Sequence, residues 1–320
     1  MISRSKIAQQ APLVGKKLKE LHEIINDRDQ TLARQEKIIQ KQADLIKHYK
    51  TLEPWIDPGH FYSPLTKDTN FKHFMNRNNI PDIDLNENKQ KQLAHRIYKN
   101  YKFLPYKDNK SGKYNYRYYY NNDQFSYSDA ITLFCMLYDK KPNNIIEVGS
   151  GYSSAIMLDV NEYFKGNSKL TFIEPYPVRL NRLISSKDAE TTIVEKFVQD
   201  IDLTVFSSLN AGDILFIDSS HVGKAGSDVN WLYFEVLPLI KSGVIIHIHD
   251  IFYPFEYLDE WIKQGRSWNE AYLLRSLLMG NRDFEIILWP NYLHKFYPEV
   301  FSNLPQMKKN IGGSIWIQKK

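Results

Sequence analysis

From Asn143 to Phe252 the chain alternates short apolar runs with amphipathic segments, and that alternation admits few architectures. NIIEVGS, KLTFIEPYP, TTIVEKFVQD, DILFIDSSH and GVIIHIHDIF read as strands, and SSAIMLDVNEYF, VRLNRLISS and DVNWLYFEVLPLI between them read as helices. Strands joined through helices run parallel with helices on both faces, so the pattern predicts an α/β, Rossmann-like, doubly wound sheet. FEIILWP and GGSIWIQKK follow as two further strand-like runs separated by a polar and aromatic loop, which predicts a C-terminal antiparallel strand pair at the edge of that sheet.

Upstream, Lys17 to Tyr49 is charged and free of Gly and Pro, with Leu18, Ile25, Leu32, Ile39 and Ile46 at heptad a positions. The d positions hold Leu21 and Tyr49 but also Arg28, Gln35 and Gln42, so the long N-terminal helix reads either as a coiled coil or docking helix or as a solvated helix. EPWIDPGHFYSPLTKDTNF breaks it with Pro54, Pro58, Gly59 and Pro64, placing a boundary near Leu52. Next, Asp84 as N-cap with Glu87 at the capping-box position predicts a cover helix carrying Leu93, Ile97 and Tyr101. KYNYRYYYNNDQF either packs its tyrosines together or offers them to a sugar or an adenine. The expected divisions are 1–52, a helix; 53–122, an aromatic linker and lid; and 123–320, the sheet domain.

Composition sets limits on partners. With 42% hydrophobic residues in 320 the chain can bury a full core, and a formal net charge of +5 is too small to demand nucleic acid. The single cysteine, Cys135, sits in apolar ITLFCMLYD and excludes an intrachain disulfide framework. The first residues lack an apolar signal core, and no window approaches about 18 apolar residues, so the expectation is a cytoplasmic protein that does not span a membrane.

The chemistry concentrates at strand ends. IIEVGSGYSS is a strand-to-helix turn in which Gly149 and Gly151 allow a ligand close to backbone, although the third glycine of a dinucleotide fingerprint is absent. Glu174 ends the next strand, where a carboxylate accepts hydrogen bonds from ribose hydroxyls; Asp200, ending the third, reads either as an adenine contact or as a turn residue. Adjacent strands DILFID and VIIHIHD bring Asp218 and Asp250 to one sheet edge, where two carboxylates need a cation or a shared proton. A divalent ion there can chelate two sugar hydroxyls and lower the pKa of one, and His221 can take its proton. Asp218 as a cap and His221 as a turn histidine are the structural alternatives; Asp228 reads as a helix N-cap, with a substrate contact as the alternative, and His247 reads as structural.

Glu147-Val148-Gly149-Ser150-Gly151-Tyr152-Ser153, Glu174, Asp218 and the terminal strand pair resemble the class I S-adenosylmethionine-dependent methyltransferases, over roughly Asp123 to Lys320. The resemblance implies a seven-stranded sheet with one reversed strand, Glu147 near the methionine amino group, Glu174 on the ribose, and the turn residues Gly149, Ser150, Gly151, Tyr152 and Ser153 around the cofactor. FIDSSH and IIHIHDIF further resemble the metal-dependent sugar O-methyltransferases of macrolide tailoring and their cephalosporin-hydroxylase-like relatives. That implies Asp218 as a ligand of magnesium, His221 as general base, and His249-Asp250 as the second metal-binding pair. His249 stands where those enzymes carry glutamate, and a nitrogen donor also suits manganese, iron or zinc. PWIDPGHFYSPLTKD and DIDLNENKQKQL resemble segments in bacterial proteins of surface-polysaccharide pathways, implying a sugar or glycan acceptor met by His60 and Tyr62, with the N-terminal helix oligomerising the enzyme or tethering it to a glycan-assembly enzyme. The rival readings are a non-catalytic scaffold on a degenerate methyltransferase fold and a nicotinamide-dependent oxidoreductase.

Overall fold

In a computed structural model of the chain, the described residues are 4–52, 56–66, 77–110 and 115–320, with side chains described from residue 15 to residue 47 of the first stretch. Pro54, the Tyr49 side chain, residues 67–76 of the linker and the first two residues of the tyrosine-rich run lie outside them. The chain divides into two compact units, Met1–Ser63 and Pro64–Lys320. No helix among the described residues is long and apolar enough to cross a membrane.

The first unit is a helix over Arg4–Leu52 followed by a turn. Its large apolar side chains, Leu18, Leu21, Ile24, Ile25, Leu32, Ile38, Ile39, Leu45 and Ile46, are each more than half exposed. Apart from Leu21 they occupy heptad a and g positions, so the stripe is centred off the a/d seam that the sequence suggests. In the turn, the His60 ring stacks on Phe61 at 4.3 Å and its Nδ1 accepts the Tyr62 backbone N–H at 3.2 Å.

The second unit holds a seven-stranded sheet in the order β3-β2-β1-β4-β5-β7-β6. The strands are β1 (Asn144–Val148), β2 (Lys169–Ile173), β3 (Thr192–Val194), β4 (Ile214–Ile217), β5 (Ile245–Ile248), β6 (Phe284–Leu288) and β7 (Ile315–Lys319). The first five pair in parallel, and β7 runs antiparallel between β5 and β6. Every residue of β4 and β5 is buried, which is why these strands read as unbroken apolar runs. The order reverses between β1 and β4, the position where open α/β sheets leave a crevice for ligands.

Several local expectations are corrected. The cover helix spans Glu87–Ile97 and starts after Asn86, which has φ 50°; Asp84 accepts the Asn86 N–H at 2.9 Å instead of capping the helix. Glu87 accepts hydrogen bonds from the Tyr292 and Tyr297 hydroxyls, 2.9 and 2.5 Å away, rather than closing a capping box. TTIVEKFVQD contributes only three residues of strand and VRLNRLISS only a turn of helix, Val178–Asn181. Residues 115–122 belong to the sheet unit instead of forming a separate lid, because Tyr118 and Tyr120 are buried and meet the Tyr106 ring edge-on at 4.8 and 6.2 Å. Cys135 is fully buried in the helix Tyr127–Lys140.

Candidate active site

The turn after β1 is built around Gly149, whose φ of 80° disfavours any side chain. A Cβ there would lie 1.8 Å from the Asp218 carbonyl oxygen, so only glycine lets β1 and β4 end side by side. Beneath the turn the fully buried Glu147 accepts the Ser153 hydroxyl at 2.5 Å and the Ser154 hydroxyl, and Ser154 Oγ accepts the Gly151 N–H at 2.9 Å. Burial pushes the Glu147 carboxyl up to about 8, with the serine hydroxyls opposing. Above the turn Glu174 accepts the Ser150 and Tyr176 backbone N–H groups at 3.1 and 2.9 Å, each oxygen keeping capacity for a further donor.

A cavity of about 400 Å³ opens here, walled by Gly149, Glu174, Pro175, Val198, Gln199 and Asp218 among others, within the usual size of small-molecule sites. Of the residues singled out in the sequence, Gly149, Glu174, Asp218 and Asp228 line it and Ser150 braces it. Glu147, Ser153 and Tyr152 support from behind: the first two bond each other, and the Tyr152 hydroxyl meets that of Tyr119 at 2.8 Å. Asp200 lines a different cavity, with Asn144, Lys169 and Thr192. Its neighbour Gln199 lines the first cavity, donating to the Gly226 carbonyl at 2.8 Å while its buried Oε1 has no partner among the described residues. Asp228 is not the cap of its helix: Ser227 is, accepting from the Asn230 N–H, and Asp228 instead receives the Ser220 N–H at 2.8 Å and the Ser220 hydroxyl.

Beside this cavity the ends of β4 and β5 bring three side chains together. Ile217 pairs with Ile248, so Asp218 and Asp250 emerge at the same sheet edge. One ligand-type atom from each of Asp218, His221 and Asp250 lies within 4.8 Å of the others. His221 Nε2 is 3.5 Å from Asp218 and 3.4 Å from Asp250, and Nδ1 is 2.9 Å from Glu270, a fully buried carboxylate. His221 and Asp250 have φ of 61° and 56°, left-handed conformations that polar side chains adopt at a cost and that recur at functional sites. The helix Glu270–Leu278 fixes this turn, since the Asn269 and Glu270 N–H groups both donate to the His221 carbonyl, at 3.0 and 3.2 Å.

The charges shape the titration. Burial opposes the His221 imidazolium, yet Asp218, Glu270 and Asp250 together raise its pKa well above the ordinary histidine value. Against the cost of burial, His249 and His221 hold Asp218 down to about 2, whereas burial raises Asp250 above the usual carboxylate range. His249, expected in the metal-binding pair, is buried and lies outside the converging set, its Nε2 3.7 Å from Asp250 and its Nδ1 without a hydrogen-bond partner among the described residues. His247 is enclosed, stacked on Phe216 at 3.8 Å and 4.6 Å from Trp316.

Asp218 and Asp250, converging at one sheet edge with His221 beside them, offer carboxylate oxygens that divalent ions accept, so the residues fit a metal. Glu270 is the partner of His221 that sequence reading misses. It lies 49 residues from His221, and nothing in WNEAYLL distinguishes it from an ordinary acidic first turn.

Residues 146–251, from β1 through Asp250, match a family model described as a methyltransferase domain. An uncharacterised protein of Archaeoglobus fulgidus is 36% identical over 167 residues, covering 48% of this chain and 72% of that protein. Among solved structures, the SAH-bound methyltransferase PaMTH1 of Podospora anserina aligns with a TM-score of 0.40 at 16% identity over 74% of this chain and 98% of that one. The O-methyltransferase TomG of Streptomyces achromogenes, in complex with SAM, aligns at 0.39 and 14% over 74% and 92%. With its glycine turn at the end of β1 and its reversed β7, the sheet unit carries a methyltransferase domain over residues 146–251.

Proposed function

We propose that the protein transfers a methyl group from S-adenosylmethionine to a hydroxyl of a sugar, in a surface glycan or its precursor, with His221 as general base and a divalent cation, magnesium or manganese, held by Asp218 and Asp250 with His249 beside Asp250. The observation that carries this reading is the juxtaposition of the His221, Asp218 and Asp250 cluster with the cofactor cavity, the two sharing Asp218 as a wall. When bound, the cofactor supplies an electrophilic methyl group and the cation acidifies the acceptor hydroxyl. Glu270 accepts a hydrogen bond from the Nδ1–H of the neutral imidazole, which leaves the Nε2 lone pair facing the site to accept the proton of the attacking hydroxyl. Glu174 and the Ser150 turn would hold the nucleoside end of the cofactor, leaving its methyl-bearing end toward the Asp218 wall that the cavity shares with the cluster.

The test is transfer of labelled methyl from S-adenosylmethionine to a panel of sugars and glycan fragments. Activity should vanish with EDTA, return with manganese or magnesium, and fall by about a hundredfold or more in Asp250→Asn, in keeping with loss of a ligand to a catalytic cation. Transfer indifferent to EDTA would remove the cation from the account. A scaffold without catalysis is the competing reading, and the intact His221, Asp218 and Asp250 cluster favours the enzyme.

We also propose that the exposed a and g residues of the N-terminal helix join copies of the chain into a homo-oligomer. Their spacing of seven persists from Leu18 to Ile46, and on a straight helix a stripe of that spacing drifts by about 20° per heptad, so only a supercoiled partner keeps it in register. Light scattering should give a multiple of the chain mass that falls to a single chain on deletion of residues 1–52; a monomeric full chain contradicts it. His60 and Tyr62 are proposed as acceptor contacts, on the strength of their adjoining rings, 5.4 Å apart; an unchanged acceptor KM in the double alanine variant would remove them.

A further inference from the structure

A second cavity, of about 470 Å³, adjoins the histidine cluster and is lined by Glu256, Tyr257, Arg266, Trp268, Asn269 and Tyr272 among others. Trp268 links the two: its ring lies 4.5 Å from that of His221. Arg266 is placed by a helix ending. The helix Asp259–Lys263 stops at Gly265, φ 81°, with the Gly265 N–H donating to the Ile262 carbonyl at 2.9 Å and the Arg266 N–H to the Trp261 carbonyl at 3.1 Å. This is the glycine-dependent Schellman ending, which folds the residue after the glycine back over the last turn. The Arg266 guanidinium accordingly lies 4.6 Å from the centre of the Trp261 ring and 4.9 Å from that of Trp268.

Two indoles thus restrain this cation at the wall of the cavity, and its charge is not neutralised. Its Nε donates to Gln264 at 3.1 Å, and among the described residues it makes no ion pair. The acid of the same cavity, Glu256, accepts the Tyr272 hydroxyl at 2.9 Å. A guanidinium held by stacking keeps its planar fork of donors and loses little freedom when it binds a planar or tetrahedral oxyanion.

We propose that the acceptor carries an anionic group, a carboxylate or a phosphate, near the hydroxyl that is methylated, and that Arg266, packed on the Trp268 ring that His221 also approaches, binds it. This rests on the methyltransferase reading and adds the charge of the substrate to it. A purely neutral acceptor leaves the restrained guanidinium without a counterpart.

The test uses the full chain saturated with S-adenosylhomocysteine, titrated with glucuronate, glucose 6-phosphate and glucose while tryptophan fluorescence is followed, for wild type, Arg266→Ala and Arg266→Lys. At least one anionic sugar should bind about tenfold more tightly than glucose, as one charge-assisted hydrogen-bond pair allows. That preference should disappear in Arg266→Ala and be partly kept in Arg266→Lys, and the stronger of the two arms tells carboxylate from phosphate. Equal binding of all three sugars, no binding of any at millimolar concentration, or a preference that survives Arg266→Ala overturns the proposal. Calorimetric binding of S-adenosylhomocysteine to the same samples separates the outcomes: if it is intact, only the anionic acceptor has failed, and if it is absent, the methyltransferase reading has failed first.

Discussion

Gly149→Ala is expected to abolish S-adenosylhomocysteine binding and to lower the unfolding free energy by about 3 kcal/mol or more. The methyl group would have to occupy the space of the Asp218 carbonyl, 1.8 Å from the Cβ position, at a φ of 80°. Either the turn reopens, separating the ends of β1 and β4, or the backbone of Asp218 moves and takes a cofactor wall and a cluster ligand with it. Gly151→Ala is the informative comparison. Gly151 has extended backbone, and its Cβ would meet only the end of the Arg179 side chain, at 3.3 Å, which can swing aside. Of the two glycines in the motif, the first should therefore carry nearly all the effect in calorimetry and in urea unfolding. Normal product binding by Gly149→Ala would mean that the cofactor does not use this turn.

The second large effect is expected at His221. Its replacement by alanine should lower kcat by about 10² to 10⁴, the range for loss of a general base, with S-adenosylhomocysteine affinity unchanged because His221 stands outside the cofactor cavity. Glu270→Gln separates positioning from charge: the amide retains an oxygen for the Nδ1 proton but removes the negative charge 2.9 Å away. That charge favours the imidazolium, so its loss lowers the histidine pKa. The base is active when unprotonated, and its pKa sets the acid limb of the kcat profile. Glu270→Gln should therefore move this limb to lower pH while reducing the plateau by about tenfold. A limb that stays in place or moves to higher pH would show that Glu270 does not act through His221.

The parts of this architecture legible in the sequence are those written as local periodicity. Continuous apolar runs gave the strands because β4 and β5 are buried on both faces, and residues that end such runs, Glu174, Asp218 and Asp250, gather at the ligand edge of any parallel sheet. What stayed hidden depends on distant partners. Glu270 becomes a partner of His221 only because its helix is folded against the turn that carries the histidine. Asp84 has the composition of an N-cap, yet the Glu87 carboxylate is taken by Tyr292 and Tyr297 from more than 200 residues away, and the helix starts later. At the end of β3 a short helical turn over Val198–Asp200 rotates Gln199 toward the cofactor cavity and leaves Asp200 facing the neighbouring one, a one-residue difference that composition does not encode. The tyrosine-rich run has the chemistry of a stacking platform, and burial assigns two of its tyrosines, Tyr118 and Tyr120, to the core instead.

The central claim is that the cavity between Gly149 and Glu174 holds S-adenosylmethionine, and calorimetric titration of S-adenosylhomocysteine into EDTA-treated wild type and Glu174→Ala tests it most directly. Glu174 accepts the backbone N–H of Ser150 in the turn after β1 and that of Tyr176 after β2. The account predicts saturable binding to wild type without metal, weakened about a hundredfold in the variant, roughly 2.7 kcal/mol for charge-assisted hydrogen bonds lost with one carboxylate. Absence of binding to wild type, with or without added magnesium or manganese, or equal affinity in Glu174→Ala, would contradict it.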